Sequence, residues 1–161
     1  MKIYLFLILQ LFSFTIFAEE SVNTDIKVYR NPDCQCCHKW MAHLEQNKFN
    51  VIDMLTSDMA SIKEAVHLPK QMTSCHTAII DGYIIEGHVP AADIRRLLAE
   101  KPDIAGLSVP QMPVGAPGME MGARKDNFIV FQFNKDGHYN TFTRYQLDEN
   151  NEYQTSSTSP N

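Results

Sequence analysis

Three cysteines occupy four consecutive positions in Cys34-Gln35-Cys36-Cys37, directly after Asn31-Pro32-Asp33. Pro32-Asp33 breaks the preceding strand and opens a helix, with Asp33 or Cys34 as its cap. The cysteines therefore fall on a first helical turn. Cys37, Trp40, Met41 and Leu44 recur at helical spacing and predict one buried face. Cys36 and Cys37 are chain neighbours, too close for an ordinary unstrained bridge. Of the four cysteines, Cys75 alone lies far away, so a single staple at most closes a long loop. Sulfur is crowded beyond what disulfide stapling requires.

The pattern around this turn reads as an α/β domain. Ile26 to Arg30 is a strand, followed by the cysteine helix, which should stop near Asn47-Lys48. Val51 to Leu55 is a second strand, apolar enough to be central in a sheet. Ser57 or Asp58 caps a second helix with Ile62, Ala65 and Val66 facing inward, ended by Pro69. Thr77 to Asp81 and Tyr83 to Glu86 form a hairpin about Asp81-Gly82. Pro90 suits the first turn of a third helix, with Ile94, Leu97 and Leu98 buried and Pro102 as its stop. The order β-α-β-α-β-β-α, with a right-handed crossover and then a hairpin, resembles a thioredoxin-like fold. Residues 101–125 carry prolines, glycines and the methionines Met112, Met119 and Met121, and read as an ordered irregular loop wrapping the domain. Phe128 to Phe133 and Tyr139 to Tyr145 make a C-terminal hairpin extension. The expected division is residues 1–18, a domain over 19–147, and a flexible polar tail over 148–161.

Residues 1–18 hold one lysine and then an almost unbroken apolar run ending at Ala18, the pattern of a secretory signal peptide. The run is slightly short for a spanning helix. Cleavage and export, with no stable membrane insertion afterwards, is the expectation. Without this segment the chain has 13 basic residues against 19 acidic ones, a net charge of −6. No basic stripe exists, which argues against nucleic acid as a partner.

Outside the cytoplasm thiols tend to pair, which sharpens the meaning of the cysteine turn. Cys34 and Cys37 have the C-x-x-C spacing shared by redox and metal sites. At a helix start, unpaired backbone N–H groups stabilise a thiolate. Cys36 adds a third sulfur that a dithiol enzyme does not need. Cu(I) prefers thiolate and thioether ligands, and bridging thiolates hold several ions in a cluster. In a thioredoxin-like fold the loop before the third strand passes beside the helix-start cysteines. Here that loop is Thr73-Ser74-Cys75-His76, with Cys-His at the place where thioredoxins carry a cis-proline. Cys75 and His76 are thus expected against the turn. Met119 is a candidate for holding or passing on copper by softness, although methionine is equally a gap-filler. His38 is expected to be exposed, and His43, His67 and His138 have no evident partner.

The stretches YRNPDCQCCHKW, SCHTAIIDGYIIEGHVPAADIRRLL, GLSVPQMPVGAPGMEMG and FIVFQFNKDG resemble the CopG-like family of periplasmic copper-resistance proteins over residues 26–137. The resemblance implies a thioredoxin-like domain, periplasmic location and a copper site bridged by thiolates. On motif positions it implies Cys34, Cys36, Cys37 and Cys75 as the sulfur core, with His88 carried over from EGHVP. It implies copper ions, cluster-forming Cu(I) among them, and other periplasmic copper-handling proteins as partners. Gln35 stands where the family often has glycine, so a positive φ there would strain it. Two other functions compete. A thiol-disulfide oxidoreductase would use Cys34 as nucleophile and Cys37 as resolving thiol. A structural zinc module would need four ligands on one tetrahedron, which adjacent Cys36 and Cys37 strain.

Overall fold

The computed structural model describes residues 24–157. The stretch read as a signal peptide lies outside them. The elements are β1 (Asp25–Arg30), α1 (Gln35–Gln46), β2 (Asn50–Leu55), α2 (Met59–Ala65), β3 (Thr77–Ile80), β4 (Tyr83–Gly87), α3 (Ala91–Glu100), β5 (Gly106–Val109), β6 (Phe128–Phe133), β7 (Tyr139–Leu147) and β8 (Tyr153–Ser157). Among the described residues, eight strands join one sheet in the order β2-β1-β3-β4-β5-β6-β7-β8. Strand β1 is parallel to β2 and antiparallel to β3, and β4 is antiparallel to β3 and parallel to β5. The chain is therefore α/β. Among the described residues no helix is long and apolar enough to cross a membrane.

Alternation along β4 divides the apolar residues between the two sheet faces. Ile85 enters the main core with Trp40, Leu44, Ile94 and Leu97, so α1 and α3 cover that face. Ile84 joins the smaller cluster of Met72 and Phe133 on the other face, with Val66 and Leu68 packed against it. Helix α1 buries Cys37, Trp40, Met41 and Leu44, the face its spacing predicts. Asp81 and Gly82 adopt φ of 50° and 86°, the left-handed pair that a tight two-residue hairpin turn demands. Lys101 closes α3 in the left-handed region, just before Pro102.

Four segments differ from the sequence reading. Strand β2 is an edge strand, with Leu55 59% exposed. Its apolar run mimics a strand covered on both faces, but Asp53, partly exposed at this edge, pairs with the buried Arg30. Helix α2 starts with Asp58 accepting from the Ser61 amide, yet buries no residue completely. It is too short to present a full apolar stripe. Residues 106–109 of the expected irregular loop form β5, whose short Leu107 and Val109 alternation gives little signal. Residues 153–157, expected to fray, form β8 against β7. A polar turn hides this strand: the Asp148 carboxylate accepts from the amides of Asn150 and Glu152, 2.9 Å each. Tyr153 then packs edge-on to Phe128 and Tyr145 and donates to the Asp126 carbonyl at 2.9 Å.

The C-terminal strands are tied to α3 from within. Tyr145 and Thr143 donate their hydroxyls to the buried Asp93 carboxylate, and the Arg96 guanidinium lies 3.5 Å over the Phe142 ring. Burial and the Asp93 charge together push the Tyr145 phenol far up, which keeps it a donor.

Candidate metal centre

The cysteine turn is held from below by Arg30. Its guanidinium donates to both Asp53 carboxylate oxygens, at 2.9 and 2.7 Å, and to the carbonyls of Asn31 and Pro32, each at 3.2 Å. The Asn31 carbonyl accepts from the Cys34 amide at 3.1 Å. Cys34 is the N-cap of α1 and makes no side-chain cap bond. Gln35 is the first helical residue and is not among the positive-φ positions, so the strain tied to a glycine-like conformation does not arise.

Cys34 and Cys37 are joined as a disulfide, while Cys36 and Cys75 are free and half-buried. The Sγ of Cys36 lies 3.6 Å from that of Cys34 and 3.8 Å from that of Cys75. Cys37 Sγ is 3.9 Å from Cys75 Sγ. All four sulfurs are thus in contact, although Cys75 is 39 residues from Cys36. The pair Cys34–Cys37 offers two thiolates to a metal only after two-electron reduction.

Two imidazoles meet the same sulfur. Cys75 Sγ lies 3.1 Å from His76 Nδ1 and 3.3 Å from His88 Nε2. His88 Nδ1–H donates to the Pro117 carbonyl at 2.8 Å, which leaves the lone pair on the nitrogen facing Cys75. This is the arrangement of metal-ligating histidines, whose second nitrogen is held by a carbonyl. His76 is fully buried, lies against Trp40 with ring centroids 4.4 Å apart, and its Nε2 has no hydrogen-bond partner. Burial, followed by the charges facing it from His88 and Lys63, holds His76 well below the usual imidazole range. Burial likewise lowers His88. Both rings are neutral near pH 7 and able to donate a lone pair to a cation. Burial and the neighbouring Cys36 push the Cys75 thiol up to about 12. A bound cation reverses that preference, because its charge stabilises the thiolate.

Two donor sets result: Cys34, Cys36, Cys37 and Cys75, and Cys75, His76 and His88. Within each set the donor atoms lie within 4.8 Å of one another, and Cys75 is common to both. The soft sulfurs beside neutral imidazoles suit copper or zinc.

Met119 is half-buried and packs against the main core. Its loop approaches the cysteine helix through Gly118, where an added Cβ would lie 2.6 Å from the Trp40 amide nitrogen and 3.0 Å from the Cys36 carbonyl. Met112 and Met121 are exposed, the latter by 63%.

Several supporting residues escaped the sequence reading. His43 accepts at Nε2 from the Ala91 amide at 3.1 Å, capping α3, and Trp40 Nε1 donates to the Val89 carbonyl at 2.9 Å. These bonds fix the segment carrying His88 onto α1. Glu86, completely buried, had one signal: it is the lone acid in an otherwise apolar strand.

The family described as "Protein of unknown function, DUF411" matches residues 72–119. No curated protein gives a significant match. The chain is similar to the solved structure of "Copper resistance protein copG- Form 2", at 45% identity and a TM-score of 0.73, covering 76% of this chain and 98% of that one. The "Form 1" structure of the same name is 46% identical, with a TM-score of 0.70, covering 74% of this chain and 94% of that one. The chain belongs to the CopG family of copper-resistance proteins.

Proposed function

We propose that this protein is exported to the periplasm and handles copper there, holding several Cu(I) ions through Cys34, Cys36, Cys37 and Cys75, with His76 and His88 as nitrogen donors and Met119 as a soft exchange ligand. The observation that carries this reading is the convergence of four sulfurs and two neutral imidazoles on Cys75. Its scaffold is read as a thioredoxin-like domain that begins at residue 19, after a signal peptide over 1–18, and that β8 extends beyond residue 147. The order β2-β1-β3-β4, with its parallel pair and hairpin, supports that scaffold.

The disulfide gives the site a second state. Oxidation of the Cys34 and Cys37 thiolates by two Cu(II) ions forms the S–S bond and yields two Cu(I), each sulfur giving up one electron. A thiol or dithiol reductant returns the pair. Copper ions, and other copper-handling proteins of the periplasm, are the partners this chemistry implies.

Anaerobic Cu(I) titration of the reduced protein, followed by X-ray absorption at the copper edge, tests the reading. The expected result is more than about one ion per chain in mainly sulfur coordination with copper–copper contacts. Saturation near a single ion, with zinc bound equally well, would count for a zinc module. A second reading, a thiol-disulfide oxidoreductase using Cys34 and Cys37, is favoured by the disulfide itself. Robust reduction of a disulfide substrate by metal-free protein that retains no copper would favour it.

A further inference from the structure

We infer that Glu86 is a positioning residue of this site, holding Cys75 over the cysteine turn from the opposite face of the sheet; the inference rests on the reading of Cys75 as the shared copper ligand. The Glu86 carboxylate is 0% exposed. Oε1 accepts from the Ser74 amide at 2.6 Å, and Oε2 accepts from the Thr77 hydroxyl at 2.6 Å. These two donors bracket Cys75-His76. The carboxylate therefore grips both ends of the dipeptide whose side chains face the other sulfurs.

Lys63 from α2 completes the arrangement. Its ammonium donates to Glu86 Oε1 and, at 3.1 Å, to Thr77 Oγ1. A buried carboxylate needs such a counter-charge. Gly87 adds close packing: an added Cβ would lie 2.5 Å from Ser74 Oγ and from the Val109 carbonyl oxygen, and the Gly87 amide donates to the His76 carbonyl at 3.0 Å. The triplet Glu86-Gly87-His88 thus clamps the Cys75 segment, admits it closely and supplies an imidazole to its sulfur. Cys75 itself lies in a bend outside the strands, so the sheet ladder does not hold it there. Without Glu86, the Ser74 amide and Thr77 hydroxyl lose the acceptor that defines the bend.

The test reads Cys75 without copper. In a Cys36→Ser background with Cys34 and Cys37 disulfide-bonded, Cys75 is the one free thiol, since the chain has four cysteines. Its rate of alkylation by iodoacetamide at fixed pH then reports its release from the buried bend, through access and thiolate fraction together. Glu86→Ala is expected to raise that rate by about fivefold or more under conditions where circular dichroism shows the variant folded. Glu86→Gln keeps one oxygen for Ser74 and can donate its amide NH2 to Thr77 Oγ1, so it should stay within about twofold of the parent. It does so although the ion pair with Lys63 is lost. In the chain with Cys36 restored, Cu(I) content should fall for Glu86→Ala and be retained for Glu86→Gln. A folded Glu86→Ala protein with an unchanged alkylation rate overturns the inference. So does Glu86→Gln releasing Cys75 as much as Glu86→Ala, because charge pairing and general stability would then be the whole role. If Glu86→Ala does not fold, Glu86→Gln with Thr77→Val opposes the amide with a methyl group and should release Cys75; an unchanged rate again overturns the inference. A chain that binds no Cu(I) at all would defeat the copper reading while leaving the alkylation result interpretable.

Discussion

His88 Nε2 lies 3.3 Å from Cys75 Sγ, and the ring cannot easily turn away because its other nitrogen donates to the Pro117 carbonyl. The imidazole belongs to the segment after β4, Pro117 to the methionine-bearing loop, and Cys75 to the bend before β3. Three separate parts of the chain are coupled through one ring. His88→Ala should weaken Cu(I) binding by about tenfold or more, measured by competition with a chromophoric Cu(I) chelator. Equal affinity in that variant would remove His88 from the site.

Cys36 and Cys75 should respond differently to substitution. Cys36 is the sulfur that a C-x-x-C pair does not need, so Cys36→Ser should lower copper stoichiometry and leave the Cys34–Cys37 disulfide intact. Cys75 belongs to both donor sets, so Cys75→Ser should cost more copper despite its distance along the chain. Thiol counts by mass after alkylation, alongside metal analysis, check both. A Cys75→Ser protein with the parent's copper content would contradict the shared-ligand geometry.

Gly118 is the point where the loop touches the cysteine helix. It has φ of 83°, and the atoms nearest an added Cβ are helix backbone, which cannot swing aside. Gly118→Ala should therefore destabilise the copper-free protein by about 1–3 kcal/mol in urea denaturation. Because Met119 follows directly, the same change should also slow or weaken Cu(I) transfer to a chelator. Gly122 is the control, since it too has positive φ but no atom within 4 Å of an added Cβ. If Gly122→Ala matched Gly118→Ala in both measurements, the contact with α1 would have no special weight.

How much of this could be read beforehand depends on the range over which each signal acts. The buried face of α1 and the Asp81-Gly82 turn follow from local spacing and backbone conformation, and both are found where the residues place them. The approach of Cys75 to the cysteine turn needed a topology, which the strand and helix order supplied. Strand β2 was misplaced because an apolar run does not tell whether a neighbour lies on one side or two. Strand β8 was missed because its residues are polar, and its one strong contact, Tyr153 against Phe128 and Tyr145, spans distant elements. His43 was likewise silent, and Glu86 showed only as the lone acid of an apolar strand: each acts on a residue whose proximity only the fold creates.

The buried imidazoles set a direction for stability against pH in the copper-free protein. His76 and His88 both have lowered values in the fold, chiefly through burial. Below about pH 6.5 an unfolded chain takes up protons on these rings that the folded chain refuses. Their stabilising contribution is therefore fully present above that pH and is lost as the pH falls toward the folded values. The loss approaches about 1.4 kcal/mol per pH unit for each such ring. Glu86 works oppositely, because burial raises its value: its contribution is present at low pH and is lost as the pH rises through the folded value. Urea denaturation at about pH 7.5 and about pH 5.5 should show the histidine effect as lower stability at the acidic end. His76→Leu, which keeps an apolar group against Trp40, should flatten the dependence. A His76→Leu protein with the same pH dependence as the parent would mean that this ring accepts protons in the folded state, and the neutral, ligand-ready imidazole would be wrong.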